Sequence, residues 1–250
     1  MLKLKKPIYL KANKMQNIFN RTALLIGENG VEKLNNSHVA VFGLGGVGSY
    51  VVEGLIRGGI ENITLIDNDV YKETNINRQL YATKSTINKL KVDATEERIL
   101  DINDKVKVNK INKFVLAGEI DDIDFSKFDY VVDAIDTITA KLEIIKKCKK
   151  LGVPIISSMG TGNKMDATCF KVSDIKNTKV CPLCKVMRKL LKENGIDSLK
   201  VVYSEEQPID INYPEDAEKK GNNYAPSSIS FVPSVAGLII SGEVIKDLIK

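Results

Sequence analysis

Tryptophan is absent from the 250 residues, histidine occurs once, and aromatic side chains make up only 6% of the chain. That leaves little stacking surface with which to read nucleic-acid bases one by one. The single histidine, His38, stands just before a strand-like run with no acid or nucleophile beside it, so no Ser-His-Asp relay can be assembled around it. Cysteine is also scarce: four residues at 148, 169, 181 and 184 are too few and too uneven for a disulfide framework, and read as reduced thiols. No apolar run approaches the ~18 residues of a spanning helix, and residues 1–17 lack the apolar centre and cleavage site of a secretory signal. These absences lead to the expectation of a cytoplasmic protein without a membrane role. The hydrophobic fraction is 43%, enough at this length for one large domain with a substantial core.

The net charge of +5 is modest, but it is unevenly spread. Residues 1–21 carry six basic side chains and no acid, and residues 171–200 carry eight basic against three acidic, so the remainder of the chain is acidic. An acidic body with two basic appendages raises the expectation of an anionic partner such as RNA, with solvated lysine-rich faces as the plainer alternative.

Residues 39–43 form a short apolar run that leads into glycines, which predicts a buried parallel strand. Tyr50, Val51, Leu55 and Ile56 then recur near helical spacing up to Gly58 and Gly59, and residues 62–67 supply a second strand, completing a βαβ unit. A helix is expected over 88–100, extended chain over 106–114, a strand over 130–135, a helix over 139–151 and a strand over 154–158. This alternation predicts an α/β fold, a Rossmann-like, doubly wound, mostly parallel sheet whose ligand lies beyond the carboxyl ends of the strands. A smaller C-terminal extension is expected to pack on it, with extended pieces over 168–172, 200–204 and 229–232 and a last helix reaching Lys250. Its first helix places Leu183, Val186, Met187, Leu190 and Leu191 on one face and Lys185, Arg188, Lys189 and Lys192 on the other. The organisation expected is therefore a basic, helical arm (1–36), a nucleotide-binding core (37–165) and a substrate-binding part (166–250) that contains a mobile loop at 206–228.

The chemistry concentrates after the first strand. Gly43-Leu-Gly45-Gly46-Val-Gly48 fits the G-x-G-x-x-G pattern between a strand and a helix, where glycines let the backbone approach phosphates and the helix N-terminus offers unpaired N–H groups. Asp67 closes the second strand, where an acid that binds ribose hydroxyls is expected. The pattern alone fits a dinucleotide dehydrogenase as well as an ATP enzyme. Asp69, then Asn75-Ile-Asn77-Arg78-Gln79, then Lys91 favour ATP, because fixed cations stabilise the charge that builds on a leaving pyrophosphate and hydride transfer has no such need. Asp133 and Asp136 end the fourth strand, where one of them could hold Mg²⁺ against the phosphates. Residues 157–164 carry two glycines and a lysine at the same sheet edge, a position suited to substrate contact.

These residues resemble the ATP-dependent activating enzymes that include the ubiquitin-activating enzymes, MoeB, ThiF and HesA. The resemblance implies that a substrate carboxylate is adenylated with loss of pyrophosphate. It further implies that Gly43, Gly45, Gly46, Gly48 and Asp67 hold the nucleotide, that Asp69, Asn75, Arg78, Gln79 and Lys91 serve its ribose and phosphates, and that Asp136 binds Mg²⁺. Arg21, in Phe19-Asn20-Arg21-Thr22, resembles an arginine that reaches a neighbouring subunit's ATP, implying a homodimer.

Segments 19–27, 157–164, 180–188, 201–204 and 230–237 look more narrowly like the tRNA threonylcarbamoyladenosine dehydratase (TcdA, CsdL) branch. That branch activates the threonine carboxylate of the modified adenosine so that the neighbouring carbamoyl group attacks and expels AMP. The tRNA backbone would lie along the basic α-helical face and the lysines at 3, 5, 6, 11 and 14. The alternatives are an adenylyltransferase for the C-terminus of a ubiquitin-like sulfur carrier, a nucleotide-sensing scaffold without catalysis and an NAD-dependent oxidoreductase. A sulfur-transfer partner for the dehydratase stays open. Zinc is not expected: Cys181-Pro-Leu-Cys184 is half a zinc site, and the second pair that MoeB-like and ThiF-like relatives carry is missing.

Overall fold

The computed structural model describes residues 18–115, 120–217, 219–220 and 223–250. Two short helices, α1 (Asn20–Ile26) and α2 (Glu28–Asn36), lead into β1 (His38–Phe42). There follow α3 (Gly48–Gly58), β2 (Asn62–Ile66), α4 (Lys91–Ile102), β3 (Lys107–Ile111), β4 (Tyr130–Asp133), α5 (Ile138–Leu151) and β5 (Ile155–Ser158). The C-terminal part adds β6 (Phe170–Asp174), α6 (Pro182–Glu193), β7 (Lys200–Ser204) and the long helix α7 (Phe231–Leu248), with a two-stranded ribbon between the last two.

The seven strands form one sheet in the order β3-β2-β1-β4-β5-β7-β6, with every pairing parallel except β6 on β7. Residues alternate between its faces as the strand period requires. Val39 and Val41 enter one apolar cluster with α3, α4 and α7, while Ala40 and Phe42 enter a second with α5 and α6. Both faces are thus covered, which is why β1 and β4 read as unbroken apolar runs. Because β2 and β4 lie on opposite sides of β1, the connections leaving the carboxyl ends of β1 and β4 diverge, opening the crevice in which doubly wound sheets bind ligands.

The C-terminal part is built into this sheet, since β7 pairs with β5 and α7 lies against α3. The two helices approach closely because α3 presents Gly54 to Ser241 and Gly58 to Ile245, and α7 presents Gly237 to the Val47 carbonyl oxygen, where a Cβ would come within 2.5 Å. Residues 229–232, expected to be extended, instead run into α7 at Phe231. Pro233 falls in the helix's first turn, where its missing N–H costs no hydrogen bond, so the largely apolar run there is compatible with a buried helix. Among the described residues, no helix is long and apolar enough to cross a membrane. The basic residues expected at 3, 5, 6, 11 and 14 lie outside the described residues.

Candidate active site

The turn from β1 into α3 is held by two steric constraints. Gly43 has φ +88°, and a Cβ on it would sit 2.8 Å from the Ala134 carbonyl oxygen at the exit of β4. A Cβ on Gly48 would collide with the Gly43 carbonyl oxygen. Gly45 differs: the nearest atom to a Cβ there is Gln79 Nε2 at 3.9 Å, so its outer face is free for a phosphate to approach. Gly46 lies beneath Arg78, whose Cγ would be 3.4 Å from a Cβ, and beside Pro233 of α7. Ser49 fixes the start of α3 by donating from Oγ to the Gly45 carbonyl (2.8 Å) and accepting the Leu80 N–H (3.2 Å), which ties the glycine turn to the Asn75–Gln79 segment.

Asp67 follows β2 and is engaged on both carboxylate oxygens, accepting the Leu44 N–H (2.7 Å) and the Asp69 N–H (2.8 Å). Burial pushes its pKa up, while the Lys91 charge and the two N–H donors pull it back. Lys91 opens α4 and is only 5% exposed; its ammonium donates to Asp69 Oδ2 at 2.8 Å and stands 4.0 Å from Asp67. Gln79 is buried, and its Oε1 has no hydrogen-bond partner, the kind of unsatisfied polar atom that a ligand completes. Asn75 turns its Oδ1 back to the Lys72 N–H (3.0 Å), shaping its own turn. Nη1 of Arg78 is held by the Thr74 carbonyl (3.0 Å) and Asn77 Oδ1 (2.9 Å). The structure thus gathers Gly43, Gly45, Gly46, Gly48, Asp67, Asp69, Arg78, Gln79 and Lys91 around one crevice at the carboxyl edge.

The two carboxylates after β4 separate into different environments. Asp133 is fully buried and bound to Lys141 Nζ (2.9 Å) and Ser157 Oγ (2.5 Å). Lys141 also donates to the Ser158 carbonyl (2.8 Å). Asp136 is exposed in the loop before α5, so of the two carboxylates weighed for a metal it is the one accessible from outside the fold. Sequence reasoning missed Lys141. The signal was available, for Lys141 shares a face of α5 with Ala140, Ile144, Ile145 and Cys148, and a lysine on an apolar face needs a buried partner.

Residues 157–164 lie beside β7 and are bound to the segment expected as a mobile loop. Asn163 Oδ1 accepts from the Ser227 N–H (2.7 Å) and the Tyr213 hydroxyl (3.1 Å), and Tyr213 stacks on Tyr224 at 4.8 Å. Glu206 accepts the N–H groups of Met165 (2.8 Å) and Asp166 (2.9 Å). Arg21 is exposed on α1, where Leu24 and Leu25 are 68% and 88% exposed. His38 is a strand-entry residue, its Nε2 2.8 Å from Thr64 Oγ1 and its ring edge-on to Phe128. Among the described residues, no group of three or more histidine, cysteine, aspartate or glutamate side chains converges as a metal site.

The ThiF family model matches residues 19–250, nearly the whole chain. The chain belongs to the ThiF family. Among curated proteins, it is 45% identical over 242 residues to the tRNA threonylcarbamoyladenosine dehydratase of Bacillus subtilis (strain 168), covering 93% of this chain and 94% of that one. Among solved structures, it superposes on the Escherichia coli tRNA N6-threonylcarbamoyladenosine dehydratase TcdA, crystallised with ATP, with a TM-score of 0.83 and 30% identity over 92% of this chain and 93% of that one. Similarity to the molybdopterin-synthase adenylyltransferase of Escherichia coli (strain K12) is lower, at 26% identity over 71% of this chain and 70% of that one. In this ThiF-family chain, the glycine turn, Asp67 and Lys91 thus occupy the sheet edge to which the sequence motifs assigned them.

Proposed function

We infer that this ThiF-family protein is a tRNA threonylcarbamoyladenosine dehydratase that binds ATP at the Gly43–Gly48 turn. The observation that carries this reading is the convergence of an open glycine face, an orphaned Gln79 Oε1 and the buried Lys91 ammonium on one crevice. The similarity to dehydratases over more than nine-tenths of both chains selects the substrate over that of carrier-protein adenylyltransferases.

In the reaction, an oxygen of the threonine carboxylate attacks the α-phosphorus of ATP, and the bond to the bridging oxygen breaks as pyrophosphate leaves. The carbamoyl group next attacks the acyl-AMP, AMP departs, and a ring closes with net loss of water from the nucleoside. Because this second step is intramolecular, its effective concentration is high and no protein nucleophile is needed. The N-terminus of α3 and the Gly45 face bind phosphate oxygens. Arg78 and Lys91 neutralise charge on the departing pyrophosphate, with Lys91 exchanging its contact to the exposed Asp69 for a phosphate. Asp67 and Asp69 serve the ribose, and Asn75 keeps the loop that carries Arg78 in place.

Magnesium is commonly held by one or two carboxylates together with substrate phosphates, and the exposed Asp136, beside an Asp133 already engaged, fits that donor set. When bound there, Mg²⁺ would screen phosphate charge. Arg21 reaches the site of a second copy, and the exposed Leu24 and Leu25 on the same helix supply apolar surface for that homodimer. The tRNA lies along Lys185, Lys189 and Lys192 on the outer face of α6, in the cytoplasm where tRNA is found.

Exchange of labelled pyrophosphate into ATP tests the assignment. Exchange that requires tRNA bearing threonylcarbamoyladenosine supports it, and exchange that requires only a ubiquitin-like carrier protein overturns it.

A further inference from the structure

Away from the glycine turn, Cys181 and Cys184 form a buried pair of thiols on one helical turn. Cys181 caps the N-terminus of α6, Pro182 takes the first helical position, and Cys184 lies in the first turn, so the two sulfurs meet across a single turn. Both are free and buried, at 2% and 0% exposure. The Cys184 side chain adjoins the Cys181 sulfur, and the backbone N–H groups of Cys184, Gly160 and Leu183 lie close enough to favour its charged form. A Cβ on Gly160 would stand 3.9 Å from that sulfur, so the substrate-side loop 159–164 rests directly on it.

The chain reaches this position through strain. Val180 has φ +63°, and the Cys181 N–H donates to the Lys179 carbonyl across it at 2.6 Å, the rarer form of γ-turn, in which a β-branched residue is forced into positive φ. Such strain persists where the surroundings impose it, and here it aims Cys181 at the ring of donors. These donors stabilise negative charge. The Cys184 hydrogen bond lowers the Cys181 thiol pKa, with the backbone N–H groups adding to it against burial, and the same hydrogen bond and burial raise that of Cys184.

We propose that Cys181 and Cys184 are a redox-active dithiol, with Cys181 as the attacking sulfur and Cys184 as the resolving one, whose oxidation by a peroxide releases loop 159–164 from its anchor. Hydrogen peroxide is small enough to reach a nearly closed site. The Cys181 thiolate attacks one peroxide oxygen, the O–O bond breaks, and hydroxide leaves to become water, giving a sulfenic acid. Cys184 then gives up its proton and attacks the Cys181 sulfur; the S–S bond forms, the S–O bond breaks, and a second water leaves. Two thiols are oxidised by two electrons, and one peroxide is reduced to two waters. Residues three apart on one helical turn lie within the Cα separation of about 4.4–6.8 Å that a disulfide accepts. The disulfide sulfur carries no charge, so the Gly160 N–H loses its anionic acceptor. This proposal does not rest on the tRNA activity, since its test reads sulfur chemistry and loop exchange.

The full-length protein is treated with hydrogen peroxide, quenched, digested without reductant and mapped by mass spectrometry, with amide exchange followed in parallel. The expected result is a Cys181–Cys184 crosslink that a thiol reductant reverses, with amide exchange in residues 159–164 at least tenfold faster in the oxidised form. In Cys184→Ser, oxidation should stop at a sulfenic acid on Cys181 that dimedone traps. If that variant fails to fold, the wild-type map decides alone. Four intact thiols, or oxidation confined to Cys169, overturns the proposal; a crosslink with unchanged loop exchange overturns the anchor.

Discussion

Two lysine–aspartate pairs stand at the same edge of the same sheet. Lys141 and Asp133 are 2.9 Å apart, with side chains 1% and 0% exposed, and their further bonds go to Ser157, Ser158 and the Ile135 N–H. Lys91 and Asp69 are 2.8 Å apart, yet the lysine is 6% exposed and the aspartate 61%. The first pair is sealed, and removing either partner strands a charge in a low dielectric. The second is half open, so its lysine can trade an acceptor in water for an arriving phosphate. Burial of the partner, rather than the distance between charges, separates a pair locked into the fold from one able to exchange its partner.

The comparison breaks if the sealed pair tolerates damage. Lys141→Met should lower unfolding free energy by about 3–5 kcal/mol, measured by urea titration, because Asp133 stays buried without its counter-charge. Adding Asp133→Asn should recover part of that loss. Lys91→Met leaves Asp69 to water but removes a charge 4.0 Å from the buried Asp67, so it should cost less stability than Lys141→Met while reducing pyrophosphate exchange by roughly 10²–10³-fold. A variant that unfolds instead would place Lys91 with the sealed group.

Much of this edge was legible in the sequence. The glycine turn, Asp67 and Lys91 announced themselves because a strand, a tight turn and a helix start leave a local signature, and strands β1, β2 and β7 fell within a residue of the expected ranges. Residues 229–232 misled, since a largely apolar run before a proline suits a strand as well as the first turn of a buried helix, and only the packing of α7 on α3 decides between them. For Lys141 the helical spacing did carry a signal, a lysine on the apolar face of α5, but not the identity of its partner, which lies on another element. Position alone left Asp133 and Asp136 both open to a metal, the family resemblance pointed to Asp136, and the structure buries Asp133 in a bond to Lys141.

Smaller effects sharpen the contrast. Gly45→Ala adds a methyl with no neighbour nearer than Gln79 Nε2 at 3.9 Å, so Tm should hold while ATP affinity falls by about 1–3 kcal/mol, read by calorimetry. Far from the crevice, Asp247 receives bonds from Lys200 (2.8 Å), Lys250 (2.7 Å) and Tyr130 (2.8 Å). Burial raises its pKa, but these donors outweigh it and bring the carboxyl down to about 2 from its ordinary 3.8. Its contribution to stability is therefore complete above pH ~4 and is lost as the pH falls toward 2. Asp247→Asn should flatten that limb of the acid denaturation curve and lower the neutral plateau by the same amount.

Activation of a tRNA-borne carboxylate in the crevice is tested most directly by mass spectrometry of nucleosides from tRNA incubated with protein and ATP. Threonylcarbamoyladenosine should lose one water while AMP accumulates, with neither change in Asp136→Ala. An unchanged nucleoside in the presence of active, ATP-bound protein would contradict the account.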